Sequence, residues 1–531
     1  MEVPVTVQKP IRYVRRRHRL DGADFEPQGF FLLRTPLLAI DELEQWSSAL
    51  LALVAIGDRA AVEKAIEEDR KAQRQWLRDL LARPIVIEAL HLATPALLEA
   101  LEEWHRNPDS KKGRRAEEAL VRYAFRMAAR ATPFGMFAAC SVGRVDERHR
   151  LTLAPQHSYR RHSRLDMGYL FALAEELNQD RELRRSLRYR PNTSIYPAAG
   201  RLRYAEARFN GPRINYHLVA VEPDEFLDAA LARAIDGATA DEIAAAVVAS
   251  DADGEISLDD ATGYVDELID SQLLMSELWP ALTGPEAVHG LIETLERVAS
   301  PHAATLRSVH EALEDLDQKG LGNDPNQYDA ITRRLDPLPE RADRNRLFQV
   351  DLFKPGEVSL GSAVLDEVAR GLEALHRLAP PDLGDSLDGF RERFIDRYGT
   401  DRLVPLLEAL DVEAGAGQSL SGAGGDTSPL LDGLDFSSPD DVEKVRWGRR
   451  EGLLLDKLMA QASGASEIVL DDDDLKGLET PRRPPLPDSF QVMAMLGASN
   501  EEALVAGDFL VWVRTAFGPS GARLAGRFCH A

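Results

Sequence analysis

Through most of the first 140 residues apolar side chains recur three and four positions apart, the spacing of helices with one buried face. The exception is Phe30 to Ile40 (FFLLRTPLLAI), which reads as an extended segment. Helical periodicity then runs from Asp41 to Leu81 and again from Ile85 to Trp104, punctuated by Pro84 and Pro95. A polar loop, Asn107 to Gly113, precedes a helix predicted over Arg114 to Ala131. That helix is expected to stop at Thr132-Pro133, because proline disfavours helical geometry in the residue before it.

The pattern changes at Pro191. Short β-type runs up to Val221, divided by Gly200 and by Asn210-Gly211-Pro212, read as a meander. Helices follow at Glu225 to Ile235, Thr239 to Ala249 and Leu258 to Leu273, with Thr239 as an N-cap after Gly237. Three strands with three short helices suggest a winged-helix unit, which binds either a duplex through a helix or a peptide along a sheet edge. Its helices carry mainly acid (Asp224, Glu225, Asp228, Asp241, Glu242, Asp259, Asp260), so the peptide is preferred. Beyond it, Pro285 to Leu335 reads as a helical linker and Asn345 to Phe353 as a buried strand. Helices are expected over Ser362 to Leu378 and Asp388 to Tyr398, and Glu413 to Pro429 as a Gly/Ser-rich mobile loop.

The expected fold is therefore α+β and multi-subdomain, mainly helical, with small mixed or antiparallel sheets and an embedded winged-helix peptide-recognition element. The predicted divisions are 1–190, 191–280, 281–412, the loop 413–429, and 430–531. A length of 531 residues suits about three or four such units.

Composition narrows the function classes. Hydrophobic residues at 44% and charged residues at 29% are those of a globular chain. The longest apolar run, Ala49 to Ile56, is far short of a bilayer span, and no apolar stretch follows the basic N-terminus as in a secretory signal, so a cytoplasmic site is expected. Two cysteines, Cys140 and Cys529, make neither a disulfide framework nor a zinc site. The net charge of −24 argues against a polyanionic partner for the whole chain, but it is unevenly divided. Residues 1–215 carry 37 Lys and Arg against 28 Asp and Glu, and the remainder 27 against 60. A nucleotide or nucleic-acid partner is thereby confined to the N-terminal part, unless its arginines merely pair with nearby carboxylates.

Arg122, Arg126 and Arg130 recur at spacing four on an otherwise apolar predicted helix, so they are expected along one face. Glu118 can answer Arg122. Arg126 and Arg130 have no acid within four positions, and a desolvated guanidinium needs an anion. A protein carboxylate and a ligand phosphate both fit. Asp166 lies among Arg160, Arg161 and Arg164, where it could orient an arginine or take a proton from a hydroxyl, and Asp351 is a lone acid in an apolar strand needing a partner. No HExxH or similar ligand pairing appears among the twelve histidines, so no metal is expected. The acid run at 471–474 reads as a solvated helix start, and Cys140 as an apolar filler.

The run RMAARATPFGMFA, Arg126 to Ala138, resembles the signature of class I lanthipeptide (lantibiotic) dehydratases. FFLLRTPLL, SRLDMGYL, LFQVDLF, FRERFIDRYG and the closing GPSGARLAGRF are similar to further landmarks of that family's N-terminal glutamylation domain. The resemblance implies glutamyl-tRNA as co-substrate, no bound cofactor, and transfer of glutamate to Ser and Thr hydroxyls of a ribosomal precursor peptide before elimination to dehydroamino acids. By it, Arg126, Arg130, Thr132, Asp166 and Asp351 match catalytic positions, and Arg34 and Arg527 match substrate-binding arginines. It further implies leader-peptide recognition at the winged-helix sheet edge, with Ile214 to Val221 and Leu268 to Leu273, and partners comprising aminoacyl-tRNA, a second copy, a separate elimination domain and a cyclase. Family members continue past the point matched by Gly526-Arg527-Phe528, so a fragment or natural truncation is expected. The alternatives are a peptide aminoacyl-tRNA ligase of the same family and an inactive peptide-binding scaffold.

Overall fold

The computed structural model describes residues 18–20, 23–50, 59–198, 200–210, 213–379, 388–411, 415–417, 447–461, 467–478, 486–518 and 525–530. Most of the expected Gly/Ser loop, the Gly211-Pro212 turn, part of the Ala49 to Ile56 run and the start of the closing GPSGARLAGRF lie outside the described residues.

One six-stranded mixed sheet organises the site. Its central strand, Ala138–Val145, pairs antiparallel with Phe30–Pro36 on one side. On the other it pairs parallel with Phe348–Phe353 and then with Gly356–Leu360, two short strands joined by a bend at Lys354-Pro355. Arg160–Leu165 adds antiparallel to the first of these and Arg150–Leu153 to the second. The bend is stitched to the central strand: Lys354 N–H donates to the Cys140 carbonyl at 3.1 Å, and Ser141 Oγ donates to the Lys354 carbonyl at 2.7 Å.

Strand alternation gives this sheet two unlike faces. On one, Val350, Leu352 and Ala139 meet the helices Arg59–Leu81, Pro84–Ala93, Pro95–Arg106 and Lys111–Ala129 through Leu77, Leu90, Trp104 and Met127. On the other lie Arg34, Cys140, Gln349, Asp351, His162 and Arg164.

The expected helix over Arg114 to Ala131 starts and ends earlier, at Lys111 and Ala129. Ser110 caps it, accepting from Gly113 N–H at 3.0 Å, which draws the end of the supposed polar loop into the first turn. At the other end Arg130 is already extended, with φ −116° and ψ 112°, so the three arginines do not share one helical face.

The stretch expected as a linker is a core element instead. Ala287–Arg297, His302–Lys319 and Pro325–Arg334 bury Leu291, Leu295, Leu306, Val309, Leu313 and Tyr328 in the larger of two hydrophobic cores. Apolar spacing alone does not tell a connecting helix from a packed one.

The two cores meet at a buried charge cluster. Glu88, fully buried, accepts from the Arg161 guanidinium, from Tyr328 O–H at 2.6 Å, Gly322 N–H at 2.7 Å and Asn323 at 3.1 Å. Arg161 also donates to Asp317 at 2.9 Å, and Asp317 accepts the Ser163 N–H at 2.7 Å.

The strands between Arg188 and Ser276 form two sheets rather than one. Tyr196–Ala198, Arg201–Asn210 and Arg213–Val221 make a meander. Arg188–Pro191 pairs with Ala238–Thr239 and Leu274–Ser276, beside the helices Glu225–Ala234, Ala240–Ser250 and Leu258–Asp270. Gln272 fastens the meander to the helical part through both Ala207 backbone groups at 2.8 Å, and Tyr204 O–H donates to the Ser271 carbonyl at 2.7 Å.

Removing one member of a desolvated ion pair strands the other, at about 3–5 kcal/mol. Glu88→Leu is therefore expected to lose about that much in urea unfolding. A loss below about 1 kcal/mol, the value of one ordinary hydrogen bond, would mean that Asp317 alone neutralises Arg161.

Candidate active site

The site begins at the turn after the arginine helix. Pro133 and Phe134 lead into Gly135, whose φ of +51° lies in the left-handed region and reverses the chain with no Cβ penalty. Phe137 N–H closes the turn on the Phe134 carbonyl at 3.1 Å, and Met136 to Cys140 then run fully buried into the central strand.

Phe134, left half-exposed, carries Arg126 on its face. The guanidinium carbon lies 4.4 Å from the ring centroid, an attractive cation–π arrangement. Arg126 Nε is buried without a hydrogen-bond partner, and no carboxylate lies within ion-pairing distance of Arg126 or Arg130 among the described residues. Burial first, and the nearby Arg130 charge second, push the Arg126 pKa below its ordinary value. The same charges thus oppose one another, with no anion paired to either among the described residues. Nor does Glu118 reach Arg122 in an ion pair.

Asp166 does not grip an arginine. It caps the helix Met167–Asn178, accepting from Gly168 N–H at 2.8 Å, with its own N–H donating to the Leu347 carbonyl at 2.8 Å. It lines a cavity of about 680 Å³, together with Pro133, Phe134, Gly135, Gln349 and Arg527. The cavity joins segments whose sequence positions lie far apart. Thr132, exposed, precedes Pro133 in the chain and is not itself among the lining residues.

Asp351 is 1% exposed and has the partners it requires. Arg527 donates to its Oδ1 from Nε at 2.7 Å and from Nη2 at 2.6 Å, and Arg164 donates to Oδ2 at 3.1 Å. With its oxygen turned toward the guanidinium groups, the Gln349 amide accepts from Arg164 at 2.6 Å and Arg527 at 3.2 Å. His530 Nε2 stands 3.8 Å from Oδ2, and its ring and the Phe528 ring pack edge-on to Phe353. Arg34, paired across the sheet with Cys140, lies against that thiol. Burial pushes the Cys140 thiol up to about 11, so it stays protonated and acts as a filler.

Three participants escape sequence reading. Arg164 lies within the basic run around Asp166 but pairs with Asp351. Gln349 gives no local signal, and His530 is close to Asp351 only in the folded chain. The period-two alternation of Arg160, His162 and Arg164 is the one local pattern that places them on a common face.

These features define a multi-subdomain α+β protein with a guanidinium-lined cleft at the end of its main sheet. Among the described residues no group of three His, Cys, Asp or Glu is arranged to hold a metal ion, and no helix is long and apolar enough to cross a membrane. The chain belongs to the lantibiotic dehydratase family: residues 82–531 match the family described as "Lantibiotic dehydratase, N terminus".

Among curated relatives, it is 23% identical over 351 residues to the subtilin biosynthesis protein SpaB of Bacillus subtilis, covering 65% of this chain and 33% of SpaB. It is 21% identical over 457 residues to the epidermin biosynthesis protein EpiB of Staphylococcus epidermidis, covering 86% and 41%. Among solved structures, the tRNA dependent lantibiotic dehydratase MibB from Microbispora sp. 107891 superposes with a TM-score of 0.69 and 25% identity, over 92% of this chain and 43% of MibB. The TbtB glutamylation domain from thiomuracin biosynthesis superposes with a TM-score of 0.54 and 18% identity, over 86% and 58%. The chain spans less than half the length of the curated relatives it matches.

His162 faces the Glu286 carboxylate, which raises the imidazole pKa above its ordinary 6.5, while the same contact holds Glu286 below its ordinary 4.5. The histidine's contribution is whole below pH 6.5 and fades as pH climbs through its raised value. That of the glutamate is whole above pH 4.5 and fades as pH falls through its lowered value. Thermal melts of Glu286→Gln against the unaltered chain are therefore expected to differ most between pH 4.5 and 6.5 and to converge on either side. A pH-independent difference would show that the pair contributes through packing.

Proposed function

We propose that this chain carries out glutamyl-tRNA-dependent glutamylation of Ser and Thr side chains in a ribosomal precursor peptide. The hydroxyl oxygen attacks the carbonyl carbon of the glutamyl ester, a new ester forms on the peptide, and the bond to the terminal ribose oxygen breaks. The hydroxyl proton ends on that ribose oxygen. Elimination of glutamate then belongs to a separate domain.

The observation that carries this reading is Arg126: a half-sunk guanidinium on an aromatic face, with a buried unpartnered Nε and no carboxylate at ion-pairing distance among the described residues. Such a group is set to meet an incoming anion, either the aminoacyl terminus or the oxyanion that develops at its carbonyl. Arg130 adds a second positive charge, and Thr132 supplies a hydroxyl at the mouth of the same turn. Asp351 serves as a positioning residue, holding Arg527 and Arg164 toward the cleft, and Asp166 shapes its wall as a helix cap. Similarity to MibB, a tRNA dependent lantibiotic dehydratase, and to the TbtB glutamylation domain supports the same chemistry.

The leader of the precursor is proposed to add as a strand beside Arg213–Val221, in a winged-helix-like element of about residues 191–280. Among the described residues that strand pairs with Arg201–Asn210 and stands last in the order of its three-stranded sheet. Tyr216 is exposed there, and Ile214 lines the large cavity, so a peptide lying along the strand is directed to the cleft.

Arg126→Ala is expected to reduce glutamylated-peptide adducts, read by mass spectrometry, by about 10²–10³-fold with an unchanged circular dichroism spectrum. Undiminished adduct formation would remove the role. Deleting the leader is expected to raise the precursor's dissociation constant at least about tenfold, the loss of a few backbone hydrogen bonds, whereas equal affinity for the core peptide alone would contradict strand addition.

A further inference from the structure

A second cavity, of about 440 Å³, opens on the same face of the main sheet, on the far side of Asp351 from the Phe134 turn. Its size is that of an ordinary small-ligand pocket. Arg160, His162, Lys354 and His530 line it over a floor of Cys140 and Phe353, and among the described residues no Asp or Glu belongs to its lining. The larger cavity is different: there Arg341, Arg346 and Arg527 are offset by Asp166, Glu340 and Asp343.

The carboxylates nearest the basic cavity are already engaged. Asp351 is held by Arg527 and Arg164, and Glu286 faces His162. Lys354 donates to the Pro36 carbonyl at 2.5 Å and lies over the Tyr159 ring. Arg161 turns its guanidinium to Glu88 on the opposite face. Arg160, exposed at the strand start, makes no ion pair among the described residues. The two cavities share a wall, because Arg527 lines the larger, His530 lines the smaller, and Asp351 lies within reach of both side chains.

We propose that this basic cavity is an anion subsite for aminoacyl-tRNA, built by Arg160 and His530, and that it receives a negative group one step removed from the ester held at Arg126. The proposal rests on the functional reading above. Two groups of glutamyl-tRNA have this chemistry: the side-chain carboxylate of the glutamate and a phosphate of the acceptor end.

The test uses the full chain and binding, measured by fluorescence anisotropy, of one labelled tRNA in three states: carrying glutamate, carrying glutamine, or uncharged. Arg160→Ala and His530→Ala are each compared with the unaltered chain, with thermal melting as the folding control and Arg160→Lys as the charge-preserving variant. If the anion is the glutamate carboxylate, Arg160→Ala weakens the glutamyl form about tenfold and spares the other two. If it is a phosphate, all three forms weaken and the slope of log affinity against log salt falls by about 0.7, one single-strand contact. Either pattern, with precursor-peptide affinity unchanged and partial recovery in Arg160→Lys, supports the subsite. Unchanged tRNA affinity in both variants overturns it, as does an equal loss of peptide affinity. Tight tRNA binding by the unaltered chain without any glutamyl transfer removes the functional reading while leaving the subsite to be judged by the same binding series.

Discussion

A carboxylate taken out of water must be neutralised where it sits, and Asp351 sits in the middle of the main sheet with almost no exposure. Its answer is two guanidinium groups from segments 187 and 176 residues away, Arg164 and Arg527. That requirement brings the closing segment of the described chain onto the sheet. Arg527 arrives with Phe528 and His530, which cover Phe353 and separate the two cavities. Gln349, on the same strand and face, accepts from the same two guanidinium groups.

The same strand pair solves a second version of the problem on the reverse face. Residues 160–165 alternate, so Arg161 turns away from Arg160, His162 and Arg164 and meets Glu88 and Asp317 between the two hydrophobic cores. One basic strand thereby supplies a structural counter-charge on one side and site cations on the other. The difference between the faces is solvent. Arg161 is enclosed by helices and fully satisfied, whereas the opposite face opens to two cavities in which some cations keep free hydrogen-bonding capacity.

Arg126 stands apart from both clusters. It has an aromatic platform but no carboxylate partner among the described residues, and its neighbour Arg130 has left the helix. The fold therefore distinguishes arginines held by acids, among them Arg527 in the cleft wall, from Arg126, which reaches the cleft only through Phe134, the lining residue it packs on. Membership of the lantibiotic dehydratase family accords with that distinction.

What was legible from the amino-acid order was whatever depends on near neighbours. The helices, the extended Phe30–Pro36 segment, the Thr239 cap, the buried Phe348–Phe353 strand and the solvated helix start at Asp471 all follow from periodicity and capping over a few residues. The absence of acids near Arg126 was likewise visible, since it concerns positions one turn apart. Tertiary structure alone decided which charges pair. Asp166, read as an acid among three arginines, proved a helix cap, and Asp351, read as a lone acid in need of a partner, a two-arginine hub. It also decided that the strands after Arg188 divide into two sheets and that the helices from Ala287 to Arg334 are core rather than linker. The physical reason is range: a cap or a helical face is set by atoms within one turn, whereas a buried charge is settled by whichever counter-charge the closed fold brings within about 3 Å.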